Sequence, residues 1–216
     1  MSDLETRLAA EDPDRWLSSR FVADASARAD LALLYLIDNE LAAVRGKARD
    51  PLVAEMRLAW WREAIEGVMA GKGGRGHPLL EALAASGLPL GPVAGLPDRR
   101  IAELVAAEDD EALLARIDDT DGVVMGIAAL RLDPGARVEQ VADAARAWRL
   151  ARAGLADRQA IVEVLRRGRK ALAGLPPAAF PAVAHAALAR SYAGGREPGP
   201  LGKRARITWA VMTGRL

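Results

Sequence analysis

The chain has no cysteine. That excludes disulfides, thiolate chemistry and cysteine-built zinc sites, and it is compatible with a reducing compartment. Aromatic residues make up only 4% of the sequence, and Val and Ile are sparse and never alternate, so sheet-forming runs are missing. No apolar run approaches the roughly 18 residues that a spanning helix needs. The start, MSDLETRLAAEDPDRW, is acidic and lacks the basic-then-apolar pattern of a signal segment. Thirty basic side chains against 29 acidic ones leave a formal charge of +1, which gives no global pull toward nucleic acid. The expectation is a cytoplasmic protein, at most peripheral to an inner membrane.

What remains is rich in Ala and Leu, both strong helix formers. With 216 residues there is enough chain for one domain with a real core, spanning 1–216. An all-α fold is expected. Asp12-Pro13 and Asp50-Pro51 each read as an N-cap followed by proline at the first helical position. Between them, a helix is predicted over about 26–47. Its stretch LALLYLI (31–37) is apolar all round, so this helix should be central rather than amphipathic. Asp50-Pro51 opens a helix ending near Gly71. Shorter helices are predicted at about 79–86, 98–106 and 109–117. The acidic run Asp118-Asp119-Thr120-Asp121 looks like a metal motif, but its position just before GVVMGIAALRL makes it the expected N-cap of a helix there. A helix over about 138–153 is expected to run past Asp157, Pro176-Pro177 to precede one at about 178–193, and the tail from Lys203 to be basic and amphipathic.

Several stretches offer chemistry. In LLYLIDNELAAVR, the 3- and 4-residue spacing puts Asp38 in line with Leu34, Tyr35 and Ala42. Glu40 points about 200° away, at ~100° per residue, so the two acids cannot form one clamp. Asp38 reads either as a metal ligand or as a buried acid paired with arginine, since a buried carboxylate needs a partner. In EMRLAWWRE, residues Glu55, Ala59, Arg62 and Glu66 share a face, while Trp60 and Trp61 straddle two surfaces. That suits an aromatic wall beside a cavity with Arg62 held by acids, or a packed helix with i,i+4 ion pairs. GKGGRGHP lacks the order of a phosphate-binding loop and follows a helix. His77 and His185 have no ligand-like spacing, and no Gly-x-Ser-x-Gly element supports a hydrolase.

Taken together, DPDRWLSSRF, LLYLIDNELAAVR, DPLVAEMRLAWWREAIEG and HPLLEAL resemble the squalene/phytoene synthase family. The similarity is to its non-classical branch, which includes the mitochondrial complex I assembly factor type and α-proteobacterial relatives. Weaker similarity continues through DTDGVVMGIAALRL, VADAARAWRLAR and AAFPAVAHAALARSY, with a shortening after Arg152. The resemblance implies an isoprenoid-synthase-like helical bundle around a central cavity, with Tyr35, Asp38, Glu55, Trp60, Trp61, Arg62 and Arg152 as cavity or binding residues. Active members condense two prenyl diphosphates head-to-head, using two Asp-rich motifs that hold Mg²⁺. Aligned on Tyr35, the acids of the first motif fall at Ala42, Ala43 and Gly46. Those of the second fall at Ala156 and Ala160, with only Asp157 nearby. Two expectations follow. One is a catalytically silent binding or assembly protein without a metal or other cofactor, whose partner is a prenyl-type lipid or a respiratory complex subunit. The other is an active Mg²⁺-dependent prenyltransferase using Asp38, Glu55 and Asp157.

Overall fold

The computed structural model describes residues 3–48, 50–74 and 76–216. Arg75 of the glycine-rich loop and the first two residues of the acidic start lie outside these ranges. The described residues are helical or irregular, with no strand among them. α1 (Asp3–Glu11) leads into α2 (Pro13–Ser19), where the Asp12 carboxylate accepts the Arg15 amide at 3.2 Å. α3 (Ala25–Lys47) is capped by Asp24, which accepts the Ala27 amide at 2.6 Å. α4 (Pro51–Met69) is capped by Asp50, which accepts the Leu52 amide at 2.9 Å. At both Asp-Pro steps, a carboxylate satisfies an orphan amide while proline supplies the pre-set φ of the first turn.

Short helices follow: α5 (Pro78–Ala84), α6 (Leu90–Ala94) and α7 (Leu96–Ile101). α8 (Asp110–Ile117) is capped by Asp109 and joins α9 (Val123–Leu132) through a π turn at Asp118–Gly122. The acidic run is therefore not an N-cap. The helix passes through it with one wide turn, and its carboxylates point outward from the axis instead of back onto amides. α10 (Ala142–Arg152) stops at Gly154, which takes φ +66°, and Asp157 re-caps α11 (Arg158–Ala173). The predicted continuation past Asp157 thus breaks at a left-handed glycine, a conformation that an L side chain resists. The region after Pro176 is two 3₁₀ segments, Pro177–Ala182 and Ala184–Leu188, before a single α turn, α12 (Ala189–Tyr192). Pro181 cannot donate a helical hydrogen bond, so a regular helix does not propagate through it. α13 (Pro200–Thr213) closes the chain.

α3 is the axis of the bundle. Leu31 through Asp38 are all buried, because α1, α2, α4, α5, α7 and α9 pack around it. The 3₁₀ segments are tied to this centre by Ser18 Oγ, which donates to the Pro181 carbonyl at 2.5 Å, and by Tyr35 Oη, which reaches the Ala182 carbonyl at 3.5 Å. A second apolar cluster joins Ile117, Leu150, Ile161, Val164 and Leu165 between α8, α10 and α11. α10 approaches α11 closely: a Cβ on Gly168 falls 2.5 Å from the Asp143 Cβ. Gly168→Ala is therefore expected to force the two helices apart and lower stability by about 1–3 kcal/mol. Thermal melting followed by circular dichroism should show a loss of several degrees; an unchanged or raised Tm means the contact has slack.

Candidate functional site

The polar centre of the molecule is a cavity of about 320 Å³ enclosed by α2, α3, α7, the π turn and α10. Asp38 forms its floor at 2% exposure, one turn past the apolar run of α3. Its Oδ2 accepts Arg15 Nη1 at 2.6 Å, and its Oδ1 accepts Arg100 Nη2 in a very short contact. Arg15 and Arg100 are themselves buried, at 7% and 4% exposure. Burial alone drives the Asp38 carboxyl upward, but the fields of Arg100 and Arg15 outweigh it and hold the group at about 2.

The network spreads outward from this pair. Arg100 Nη1 donates to both oxygens of Glu103 at 2.9 and 2.8 Å. Asp12, already the cap of α2, has Arg15 Nε at 3.5 Å and Arg152 Nη1 at 3.3 Å. Asp121 projects from the π turn between Arg15 and Arg149, each 3.8 Å away. Neither guanidinium donates a hydrogen bond to it within normal range, so burial dominates and raises the Asp121 carboxyl, with Arg100 and Arg149 offsetting only in part. The other acids of the run diverge, Asp118 to Arg146 at 2.7 Å and Asp119 to Arg99. Behind the cavity, Arg15 lies 5.1 Å from the Tyr35 ring centroid and Arg152 5.0 Å from that of Trp148. Trp148 packs edge-on to His185 at 4.8 Å. His185 is fully buried with neither ring nitrogen hydrogen-bonded, and burial, aided by Arg15 and Arg152, pushes its pKa well below the ordinary value.

Of the residues singled out in the sequence, Asp38 and Arg152 line this cavity and Tyr35 lies immediately behind it. Glu55, Trp60, Trp61 and Arg62 do not. Glu55 is exposed on α4, and Arg62 pairs with Asp98 at 3.1 Å rather than with Glu66. Trp60 and Trp61 stack edge-on with each other at 5.5 Å and with His77 at 6.0 and 4.9 Å, making an aromatic cluster against the loop before α5 instead of a cavity wall. Asp157 is spent as the exposed cap of α11, its carboxylate accepting the Ala160 amide at 2.8 Å. Asp38, Glu55 and Asp157 therefore never converge. Ala42 does line the cavity, while Ala156 and Ala160 lie outside it. Sequence reasoning missed Arg15, Arg100, Asp121, Trp148 and Arg149. Asp121 stood in an acidic run that was read as an N-cap, and Arg149 carried a signal in sharing a helix face with Arg152 three residues on.

Mg²⁺ requires several oxygen ligands in near-octahedral array at about 2.0–2.1 Å. The residues here do not fit it. Both oxygens of Asp38 are occupied by guanidinium groups, and four arginines face the space where a cation has to sit. Among the described residues, no three His, Asp or Glu side chains are grouped so as to hold a metal ion. Among them also, no helix is long and apolar enough to cross a membrane.

The squalene/phytoene synthase family model matches residues 8–156, a span that contains every residue lining the central cavity. The chain belongs to that family, and its all-α architecture is that of a shortened isoprenoid-synthase-like fold. A search of curated proteins finds no match.

The two central aspartates should respond oppositely to neutralisation. Asp38→Asn leaves Arg15 and Arg100 buried without their shared counter-charge, an expected loss of about 3–5 kcal/mol at pH 7. Asp121→Asn removes a charge that the fold disfavours, so its effect at pH 7 should be small or stabilising. The pH dependence follows the same signs. The Asp38 contribution is present above about pH 4 and fades as pH falls through about 2, whereas the Asp121 contribution is full below about pH 4 and is lost as pH rises through its elevated pKa. Urea unfolding of both variants at pH 7 and near pH 4 checks this, and equal losses for the two at pH 7 contradict the assignment.

Proposed function

We propose that this family member is catalytically silent toward prenyl diphosphates and works by binding, as an assembly factor. The observation that carries this reading is the clamping of Asp38 between two buried arginines. A carboxylate that completes an internal ion pair is withdrawn from metal coordination, and without the metal no Lewis acid stabilises departing diphosphate. The alanines at 42, 156 and 160, where the family resemblance places acids, support the same reading.

A binding role is supported by α4. Leu52, Met56 and Trp60 recur every four residues on one face and are 60%, 64% and 41% exposed, with Val53 beside them at 40%. An apolar stripe left in solvent on a long helix suits a protein partner that covers it. The resemblance to the complex I assembly factor type makes a respiratory complex subunit the proposed partner. A second reading, an active Mg²⁺-dependent prenyltransferase, draws on one observation: Asp12, Asp38 and Asp121 come from three separate elements to one cavity. Catalysis then requires Arg15 and Arg100 to leave Asp38.

Incubation with farnesyl or geranylgeranyl diphosphate and Mg²⁺ separates the two. The expected result is no Mg²⁺-dependent diphosphate release above the protein-free rate; measurable turnover overturns silence. For the partner, Leu52→Asp with Met56→Asp is expected to keep the native melting temperature, because both side chains are exposed. It should also abolish co-purification of respiratory complex subunits with the tagged full chain. Undiminished co-purification removes α4 as the interface.

A further inference from the structure

The near-neutral charge of the whole chain conceals a segregation. Residues 158–216 carry eleven Lys and Arg against two Asp and Glu, while residues 1–157 carry 19 against 27. The basic part begins where the family match ends, at residue 156. It folds as α11, the 3₁₀ segments, α12 and α13, and it builds two adjoining recesses that share Arg190, Trp209 and Leu216.

The two recesses differ in chemistry. The larger, about 760 Å³, runs between α11 and the end of α13 over an apolar floor of Leu165, Leu172, Leu175 and Phe180. Met212, 80% exposed, and Trp209, 55% exposed, stand on its wall, with Arg169 and Arg215 on its rim. The other, about 710 Å³, is lined by Arg158, Arg190, Arg196 and Arg206 and by no acidic side chain. This is the reverse of the central cavity, where every arginine faces a carboxylate. Among the described residues Arg158, Arg196 and Arg206 make no ion pair, and the buried Nε of Arg190 has no hydrogen-bond partner, although its Nη2 donates to a main-chain oxygen of Leu216 at 3.0 Å. Arg158, Arg196 and Arg206 thus bring like charges to one recess without an ion-pair partner, and an external anion relieves their repulsion. Guanidinium groups match phosphate oxygens in geometry as well as charge.

We propose that these joined recesses are a site for an anionic phospholipid at a membrane surface, with its phosphate among Arg158, Arg190, Arg196 and Arg206 and an acyl chain over the Leu165–Phe180 floor. An amphiphile uses both recesses at once. A nucleic acid leaves the apolar one empty and finds one indole, Trp209, where base stacking calls for several. Exposed Trp and Met beside unpaired arginines is also the composition of interfacial helices. The site is independent of the central cavity and of the silence proposed for it.

Flotation of the full chain with vesicles tests the site. Binding is expected to vesicles of equal parts phosphatidylcholine and phosphatidylglycerol, to be absent with phosphatidylcholine alone, and to fall as salt rises. Each basic residue at an anionic surface contributes about fivefold, so Arg196→Ala with Arg206→Ala should weaken binding by roughly 25-fold. Removing the exposed cations Arg57 and Lys72 of the α4 region in the same way should change it by less than about twofold. Met212→Asp should abolish it with the fold intact by circular dichroism. Equal weakening by the two double substitutions, or equal binding to neutral vesicles, overturns the site. Dioctanoyl phosphatidylglycerol below its micelle concentration should shift the Trp209 emission, taken as the difference from Trp209→Phe. The same shift with inorganic phosphate alone places a free anion there and overturns the lipid. Retention of single-stranded RNA without vesicle binding overturns it as well.

Discussion

Asp38 between Arg15 and Arg100 is the interaction on which the interior is organised. It is a buried charge on the central helix, and it holds there only because α2 and α7 each deliver a guanidinium to one of its oxygens. A buried ion pair is a poor source of net stability, since desolvating both partners offsets most of their attraction. What it does enforce is placement. α2, α3 and α7 cannot slide relative to one another without stranding a charge in a low-dielectric interior. Glu103, Asp12 and Asp121 then balance the excess positive charge that two arginines bring to one aspartate, and the remaining arginines of α10 close the set.

The shape of the cavity and the chemistry of its lining have separate origins in this fold. The shape comes from α3 and its apolar neighbours, whose packing is indifferent to the polar lining. Exchanging acids for alanines on the helix faces and filling the polar space with guanidinium–carboxylate pairs leaves the bundle intact. In the cavity as it stands, both oxygens of Asp38 are taken up by guanidinium groups of the same chain.

Much of the fold was legible in the sequence because its signals are local. Asp12-Pro13 and Asp50-Pro51 mark helix starts through two adjacent residues, and the unbroken apolar run before Asp38 marks a helix surrounded on every side. The pairing of Asp38 with arginine could be foreseen in kind, since a buried acid demands a partner, but Arg100 lies 62 positions away and nothing in its own surroundings distinguishes it. The reading of Trp60 and Trp61 as a cavity wall failed for a related reason. Periodicity tells which residues share a face and not which neighbour that face meets. The formal charge of +1 misled differently, by averaging over two unequal segments of opposite sign; the excess in residues 158–216 was countable in the sequence, and the fold adds that Arg158, Arg190, Arg196 and Arg206 line one recess.

The π turn at Asp118–Gly122 has a geometric effect beyond aiming Asp121. One extra residue in a turn advances every later side chain by about 100° around the axis. Ile117, just before it, belongs to the cluster shared with α10 and α11, whereas Val124 and Met125, just after it, belong to the core around α3. The single continuous rod from Asp110 to Leu132 thus behaves as a phase shifter, presenting its apolar stripe to one core along its first half and to the other along its second. Deleting one residue from the turn to restore ordinary helical pitch would put the two stripes in register and leave one of the cores uncovered.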